Sequence, residues 1–66
     1  MEIYLNGERR QVADGINAAQ LIEELALAGR RVAVEVNCEI VPRSAYAQHR
    51  LRAGDRIEVV RAIGGG

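Results

Sequence analysis

The sequence has no lysine, tryptophan or phenylalanine, and only one cysteine and one proline among its 66 residues. All nine basic residues are arginines, and nine acidic residues balance them to a formal net charge of zero. Because no long run of like charge is present, the chain lacks the basic patch typical of nucleic-acid-binding proteins. We therefore expect no nucleic-acid partner. Without lysine, the chain also cannot build isopeptide-linked chains on itself.

The low cysteine content and the lack of long apolar runs indicate the cellular compartment of the protein. A single cysteine cannot form an internal disulfide, whereas small secreted domains usually carry several. No stretch approaches the roughly 20 apolar residues of a membrane helix, and no basic n-region opens the chain. We expect a cytoplasmic protein with no membrane contact.

The length of the chain limits the kinds of function that it can have. A chain of 66 residues forms one domain, and such a domain buries only about 60% of the surface that its unfolded chain exposes. Little core is left for an enclosed catalytic pocket. An independent enzyme is therefore not expected.

The N-terminal segment predicts a β-hairpin. Apolar and polar residues alternate over residues 1–5, which is the period of a half-buried strand. Asn6-Gly7 follows, and this dipeptide is the strongest short-range signal for a hairpin turn. Residues 8–13 should therefore return as an antiparallel strand, with Val12 facing the core.

The next segment carries the start signals of a helix. Asn17 is a favourable N-cap, and Gln20 stands at the capping-box position three residues later. Apolar residues recur at helical spacing from Ala18 to Ala28. We expect the helix to cover that range and Gly29 to stop it.

The C-terminal half predicts three more strands. The alternation of Val32, Val34 and Val36 indicates one of them, and Asn37-Cys38 makes a tight turn into the next. The last strand is too apolar for an exposed edge and should lie at the centre of the sheet. We place these strands at residues 31–37, 39–41 and 56–63, with a helical turn at 44–48.

This order of elements predicts an α+β domain with a mixed sheet covered on one face by a single main helix. A hairpin, a helix and later strands in that order suggest the β-grasp, or ubiquitin-like, fold. We assign residues 1–63 to this domain and residues 64–66 to a flexible C-terminal glycine tail.

The tail is the first candidate functional site. Gly64, Gly65 and Gly66 have no side chain to bury, so packing does not favour them at the end of a domain. One interpretation is a frayed terminus. The other is a thread that enters a narrow channel of another protein, where ATP can activate the terminal carboxylate as an acyl-adenylate and a sulfur nucleophile can displace it.

The last strand offers a second candidate site, a docking patch for a partner. Neighbouring residues of a strand point to opposite faces, so one of the adjacent valines of this strand must lie on the open face of the sheet. Val60 and Ile63 would form an apolar patch there, with Arg56 and Arg61 as its polar rim. The alternative is that Val60 packs beneath the connection formed by residues 42–53.

Other reactive residue types carry no catalytic pattern. Cys38 lies in a predicted turn without a neighbouring histidine or helix N-terminus to activate it, so we expect a neutral role. His49 has no cysteine or histidine at metal-ligand spacing, and we expect neither a metal site nor a catalytic residue. Asp55 after Gly54 is typical of turn chemistry.

In order and total length, the segments resemble those of the ThiS family, the sulfur carrier proteins of thiamine biosynthesis. The resemblance runs from Met1 to Gly66. It is carried by Ile3-Tyr4-Leu5-Asn6-Gly7, Leu21-Ile22-Glu23-Glu24-Leu25, Val32-Ala33-Val34-Glu35-Val36-Asn37, Ile40-Val41-Pro42-Arg43, Gly54-Asp55, Ile57-Glu58-Val59-Val60 and the terminal glycines.

The resemblance implies a carrier that is a protein cosubstrate and binds no cofactor itself. An adenylyltransferase similar to ThiF would use ATP to activate Gly66, and sulfur derived from a cysteine desulfurase would convert it to a thiocarboxylate. Gly65 would be the second glycine of the family motif, and Gly64 an extra one that adds reach. A thiazole synthase similar to ThiG would then take the sulfur into the thiazole ring of thiamine.

Two alternatives stay open at this point. Small subunits of molybdopterin synthase (MoaD-like) are sulfur carriers with the same fold and a Gly-Gly end, but they are generally longer. A regulatory β-grasp module similar to TGS domains has a comparable length and a Gly-Asp turn. Such a module does not need a terminal glycine carboxylate.

Overall fold

The computed structural model describes residues 1–61 and has five strands, one α-helix and one 3₁₀ helix. The α-helix α1 is Ala18–Glu24, and the 3₁₀ helix is Arg43–Gln48. The order of elements agrees with the α+β prediction. The strands are β1 (Glu2–Leu5), β2 (Glu8–Gln11), β3 (Val32–Val36), β4 (Glu39–Val41) and β5 (Arg56–Arg61).

All five strands form one mixed sheet in the order β2-β1-β5-β3-β4. β1 and β5 run parallel, and every other neighbouring pair runs antiparallel. The central position predicted for the last strand is therefore confirmed. β5 joins the β1–β2 hairpin to the β3–β4 hairpin. The last two residues of the predicted 56–63 strand lie outside the described part of the chain.

Both hairpins turn through two residues in the left-handed region. In the first turn Asn6 has φ 50° and Gly7 φ 85°, and in the second Asn37 has φ 51° and Cys38 φ 69°. Two consecutive positive φ angles are typical of type I′ turns, whose twist matches that of the flanking strands. Both turns were predicted from their asparagines.

The start of α1 is the predicted capping box. The side-chain Oδ1 of Asn17 accepts a hydrogen bond from the backbone N–H of Gln20 at 2.8 Å. The backbone N–H of Asn17 donates to Oε1 of Gln20 at 2.9 Å. Two N–H groups that have no partner within the helix are satisfied in this way.

The predicted end of α1 at Ala28, with Gly29 as its stop, is wrong, because the helix ends at Glu24. Ala26 adopts φ 60° and donates its backbone N–H to the carbonyl of Glu23 at 3.0 Å, while Leu27 donates to the carbonyl of Ile22 at 3.0 Å. These two bonds form a Schellman motif, which usually has glycine where Ala26 stands. The motif lets Leu27 pack against the core, and this packing overrides the helical spacing.

The core lies between one face of the sheet and the helices. Val12 is buried as predicted, and Tyr46 of the 3₁₀ helix and Leu51 are also part of the core. The other face of the sheet has no helix over it within residues 1–61. The most deeply buried large side chains are Ile3, Leu21, Val34 and Ile57.

Candidate functional site: the central strand and the open face of the sheet

β5 leads to the predicted tail and is held on both sides. Tyr4 donates its backbone N–H to Asp55 at 2.9 Å, and Asn6 donates to Ile57 at 2.9 Å, so β1 holds one side. On the other side, β3 pairs with residues 57–61 of β5, from Ile57 opposite Val36 to Arg61 opposite Val32. The segment before the tail is thus fixed in the middle of the sheet.

The predicted tail residues themselves are not described. Gly64, Gly65 and Gly66 lie outside residues 1–61, as does Ile63 of the predicted patch. Their assignment as the site of chemistry stays a prediction. The last residue that the structure describes is Arg61, which lies at the end of the sheet where β3 begins.

Two turn asparagines fix β5 through their side chains. The Asn6 amide donates to the carbonyl of Val59 at 3.2 Å and accepts the N–H of Val59 at 2.9 Å. The Asn6 side chain thereby extends the hydrogen bonding between β1 and β5 beyond the end of β1. The Asn37 amide accepts the N–H of Arg56 at 3.0 Å and donates to the carboxylate of Asp55 at 3.1 Å.

These contacts could not be read from the sequence. Asn6 lies 53 positions from Val59, and a local pattern gives only its role in the turn. The one signal was the recurrence of asparagine as the first residue of both hairpin turns.

The open face of the sheet carries exposed aliphatic side chains. Val60 is 56% exposed, so the alternative in which it packs beneath residues 42–53 is wrong. Ile40 of β4 is 75% exposed and was not predicted as part of the patch. Ile40 and Val41 are adjacent in a short strand and Val41 is buried, so the alternation itself could have placed Ile40 on this face.

The structure separates the two arginines predicted to flank the patch. Arg56 lies on the open face, where its guanidinium carbon is 6.0 Å from the centroid of the Tyr4 ring. Arg61 is opposite Val32, which packs on the core side, so Arg61 points to the face that carries the helix. The predicted rim therefore reduces to Arg56 on the face that exposes Val60. The physical reason is that Arg61 directly follows Val60 in the strand, and adjacent side chains of a strand point to opposite faces.

The structure shows where the other reactive residue types lie, and the roles expected for Cys38 and His49 stay predictions. Cys38 is a free, exposed cysteine in the second turn, and His49 is half-buried at the end of the 3₁₀ helix. The carboxylate of Asp55 accepts the backbone N–H of Arg52 at 2.8 Å, as turn chemistry predicts. Residues 1–61 contain no group of three or more side chains that could hold a metal ion.

Within the same range, no helix is long and apolar enough to cross a bilayer. Charged side chains are spread over the surface, and only two ion pairs form among the described residues. These pairs join the N-terminal amino group to Asp14 at 3.0 Å and Arg10 to Glu24 at 3.7 Å.

The family model of the ThiS family matches residues 3–66. The chain belongs to the ThiS family. It is 36% identical over 66 residues to the sulfur carrier protein ThiS of Escherichia coli, and the match covers both chains completely. The resemblance to the ThiS family is thereby confirmed, and the similarity to a protein called ThiS favours the thiamine branch over the MoaD-like and TGS-like alternatives.

The solved structures confirm the β-grasp fold. The crystal structure of the thiamine biosynthesis protein ThiS from Geobacter metallireducens superposes with a TM-score of 0.87 at 32% identity. The match covers the whole of both chains. A solution structure of the thiamine biosynthesis protein from the same organism gives a TM-score of 0.82.

Other relatives are much longer than this chain. A thiazole synthase of Paramagnetospirillum magneticum is 46% identical over 66 residues, and one of Magnetococcus marinus is 42% identical. The match covers all of this chain but only 20% of each thiazole synthase. A ThiS-like segment and the name thiazole synthase therefore occur together in single proteins.

Proposed function

We propose that Gly66 carries the sulfur and that the rest of the chain presents it to larger enzymes. The observation that supports this proposal is the match to the ThiS family through Gly66, together with a central strand that leads towards the glycines. Gly65 and Gly66, the two glycines of the family motif, have no Cβ atoms, so they fit a narrow channel in extended form.

The proposed chemistry begins at the terminal carboxylate. An oxygen of this carboxylate attacks the α-phosphorus of ATP on an adenylyltransferase similar to ThiF, and pyrophosphate leaves. The terminal sulfur of a persulfide derived from a cysteine desulfurase then attacks the acyl carbon, and AMP leaves with the bonding electron pair. A thiol cleaves the resulting S–S bond, which gives a disulfide and the thiocarboxylate on Gly66.

The thiazole synthase is the proposed acceptor of this sulfur. Relatives of which a ThiS-like segment forms a fifth are themselves called thiazole synthase, and this supports a contact between carrier and synthase. A single chain keeps the sulfur donor at a high effective concentration near its acceptor. We propose that the present chain makes the same contact with a synthase similar to ThiG, in the cytoplasm.

The open face of the sheet is the proposed docking surface for the activating enzyme. Val60 is exposed there beside the central strand that leads to the tail, and Arg56 borders the same face. Val60 and Ile40 are exposed on this same face, where a partner could cover both. A partner on this face would lie beside the strand from which the tail leaves.

Intact-mass measurement tests the chemistry directly. The chain is incubated with ATP, a cognate ThiF-type enzyme, a cysteine desulfurase, cysteine and a thiol reductant. We expect a mass increase equal to the difference between sulfur and oxygen. A variant without Gly65 and Gly66 should stay unmodified, whereas Gly64→Ala should be converted like the wild type because Gly64 only adds reach.

An unchanged mass in the wild type, or equal conversion of the shortened variant, would contradict the assignment of Gly66. Deletion of the gene tests the pathway. We expect thiamine auxotrophy with normal molybdoenzyme activity, and the reverse pattern would point to molybdopterin instead.

A further inference from the structure

Two carboxylates lie opposite each other on the open face of the sheet. Glu35 of β3 is in register with Glu58 of β5, and across β3 the next residue in the same row is Ile40 of β4. Val34, Val36, Ile57 and Val59 beside these glutamates are buried, which places both carboxylates on the open face. The neighbouring row pairs Ala33 with Val60.

This arrangement opposes the stability of the sheet. Like charges directly opposite each other on neighbouring strands are destabilising, whereas opposite charges at such positions stabilise. Among residues 1–61, neither Glu35 nor Glu58 forms an ion pair. The nearest arginine along β5, Arg56, lies over the ring of Tyr4 on the other side of the strand.

The surroundings of the carboxylate pair are apolar and exposed. Ile40 at one end of the row is 75% exposed, and Val60 in the neighbouring row is 56% exposed. A partner that covers these two side chains also removes water from the carboxylates between them. Burial of two unpaired carboxylates is costly, so such a partner must supply positive charge at this point.

We propose that the activating enzyme inserts a cationic side chain, arginine or lysine, between Glu35 and Glu58 while its apolar surface covers Ile40 and Val60. This inference rests on the proposed function, because it takes the adenylyltransferase as the partner. A guanidinium group can bind two carboxylates with separate N–H donors, which makes arginine the better fit. In the free carrier the two carboxylates repel each other, and in the complex they share one cation.

The proposal predicts opposite effects on stability and on binding. In the variants Glu35→Gln and Glu58→Gln the repulsion is gone, so the melting temperature of the free carrier should rise by roughly 1–5 °C. Binding to the activating enzyme should weaken. For the double variant we expect a loss of about tenfold in affinity, the range of a charged contact that becomes covered in a complex.

Calorimetric titration of the full chain against the cognate ThiF-type enzyme measures this affinity. Glu39→Gln is the matched control, because Glu39 is an exposed glutamate of β4 in register with Val36, on the other side of the sheet from Ile40. Its affinity should equal that of the wild type. Higher salt should weaken wild-type binding more than binding of the double variant.

The outcomes separate this inference from the proposed function. If the wild type neither binds nor becomes adenylated, the proposed function is wrong. If the wild type binds and the double variant binds equally well, the carboxylates receive no cation and the inference is wrong. If the double variant loses both affinity and melting temperature, the effect is a folding defect and the proposal also fails.

Discussion

The two hairpin turns begin with the same residue, and both hold the central strand, but they do so at different depths. Both asparagines are exposed, but Asn6 hydrogen-bonds to both backbone groups of the buried Val59. Asn37 hydrogen-bonds instead to the exposed Arg56 and to Asp55. Water can replace the lost contacts of an exposed group more easily than those of a buried one. The same residue type should therefore contribute differently to stability at the two turns.

The second position of each turn extends this comparison. Gly7 adopts φ 85° at no steric cost, while Cys38 adopts φ 69° with a side chain that disfavours this region. The first turn thus combines strong side-chain contacts with a relaxed backbone. The second combines weaker contacts with a strained one.

The largest effect is expected for Asn6→Gly, which keeps the turn conformation and removes both contacts with Val59. Each hydrogen bond contributes about 1 kcal/mol, so the free energy of unfolding should fall by about 2 kcal/mol. Urea unfolding followed by circular dichroism measures it. Asn6→Asp keeps the acceptor for the Val59 N–H, so its free energy of unfolding should lie between those of Asn6→Gly and the wild type.

Asn37→Gly is the matched variant in the second turn and should have a smaller effect. We expect a loss of about 1 kcal/mol, because the N–H of Arg56 and the carboxylate of Asp55 can turn to water. The same unfolding experiment compares the two variants under identical conditions. A loss at Asn37 as large as that at Asn6 would show that burial does not distinguish the turns.

The smallest effect among these turn variants, and the only gain among them, is expected for Cys38→Gly. Glycine relieves the positive φ at this position, and the free energy of unfolding should rise by about 0.5–1 kcal/mol. Cys38→Ser keeps the side chain at the strained position and should leave stability nearly unchanged. If serine and glycine gave the same gain, loss of the thiol rather than relief of the backbone would be the cause.

Local patterns predicted most of this fold because most of its elements begin and end by local rules. The capping box at Asn17, the two asparagine turns and the alternation of β3 each depend on residues a few positions apart. The end of α1 could not be predicted in this way. Helical spacing continued to Ala28, but the helix ends earlier in a Schellman motif at Ala26, and the partly buried Leu27 packs against the core.

In the candidate site, too, local patterns predicted some features and missed others. That one of the adjacent valines must lie on the open face followed from alternation within one strand, and the structure shows that it is Val60. The position of Ile40 beside Glu35 and the opposition of Glu35 and Glu58 depend on register between strands, which single-sequence patterns do not give. The separation of Arg61 from Arg56 could have been predicted from the sequence. By alternation along the strand Arg56 shares the face of Val60, whereas Arg61, which directly follows Val60, points to the opposite face.

The central position of β5 also affects how the domain forms during synthesis. β1 and β5 are neighbours in space but lie about 50 positions apart along the chain, and contacts between distant segments delay folding until the loop between them has closed. Until β5 has been made, the two hairpins have no common neighbour in the sheet. The domain can therefore complete its fold only after β5 has been made, so the strand that precedes the glycines in the sequence is also the strand that joins the two hairpins into one sheet.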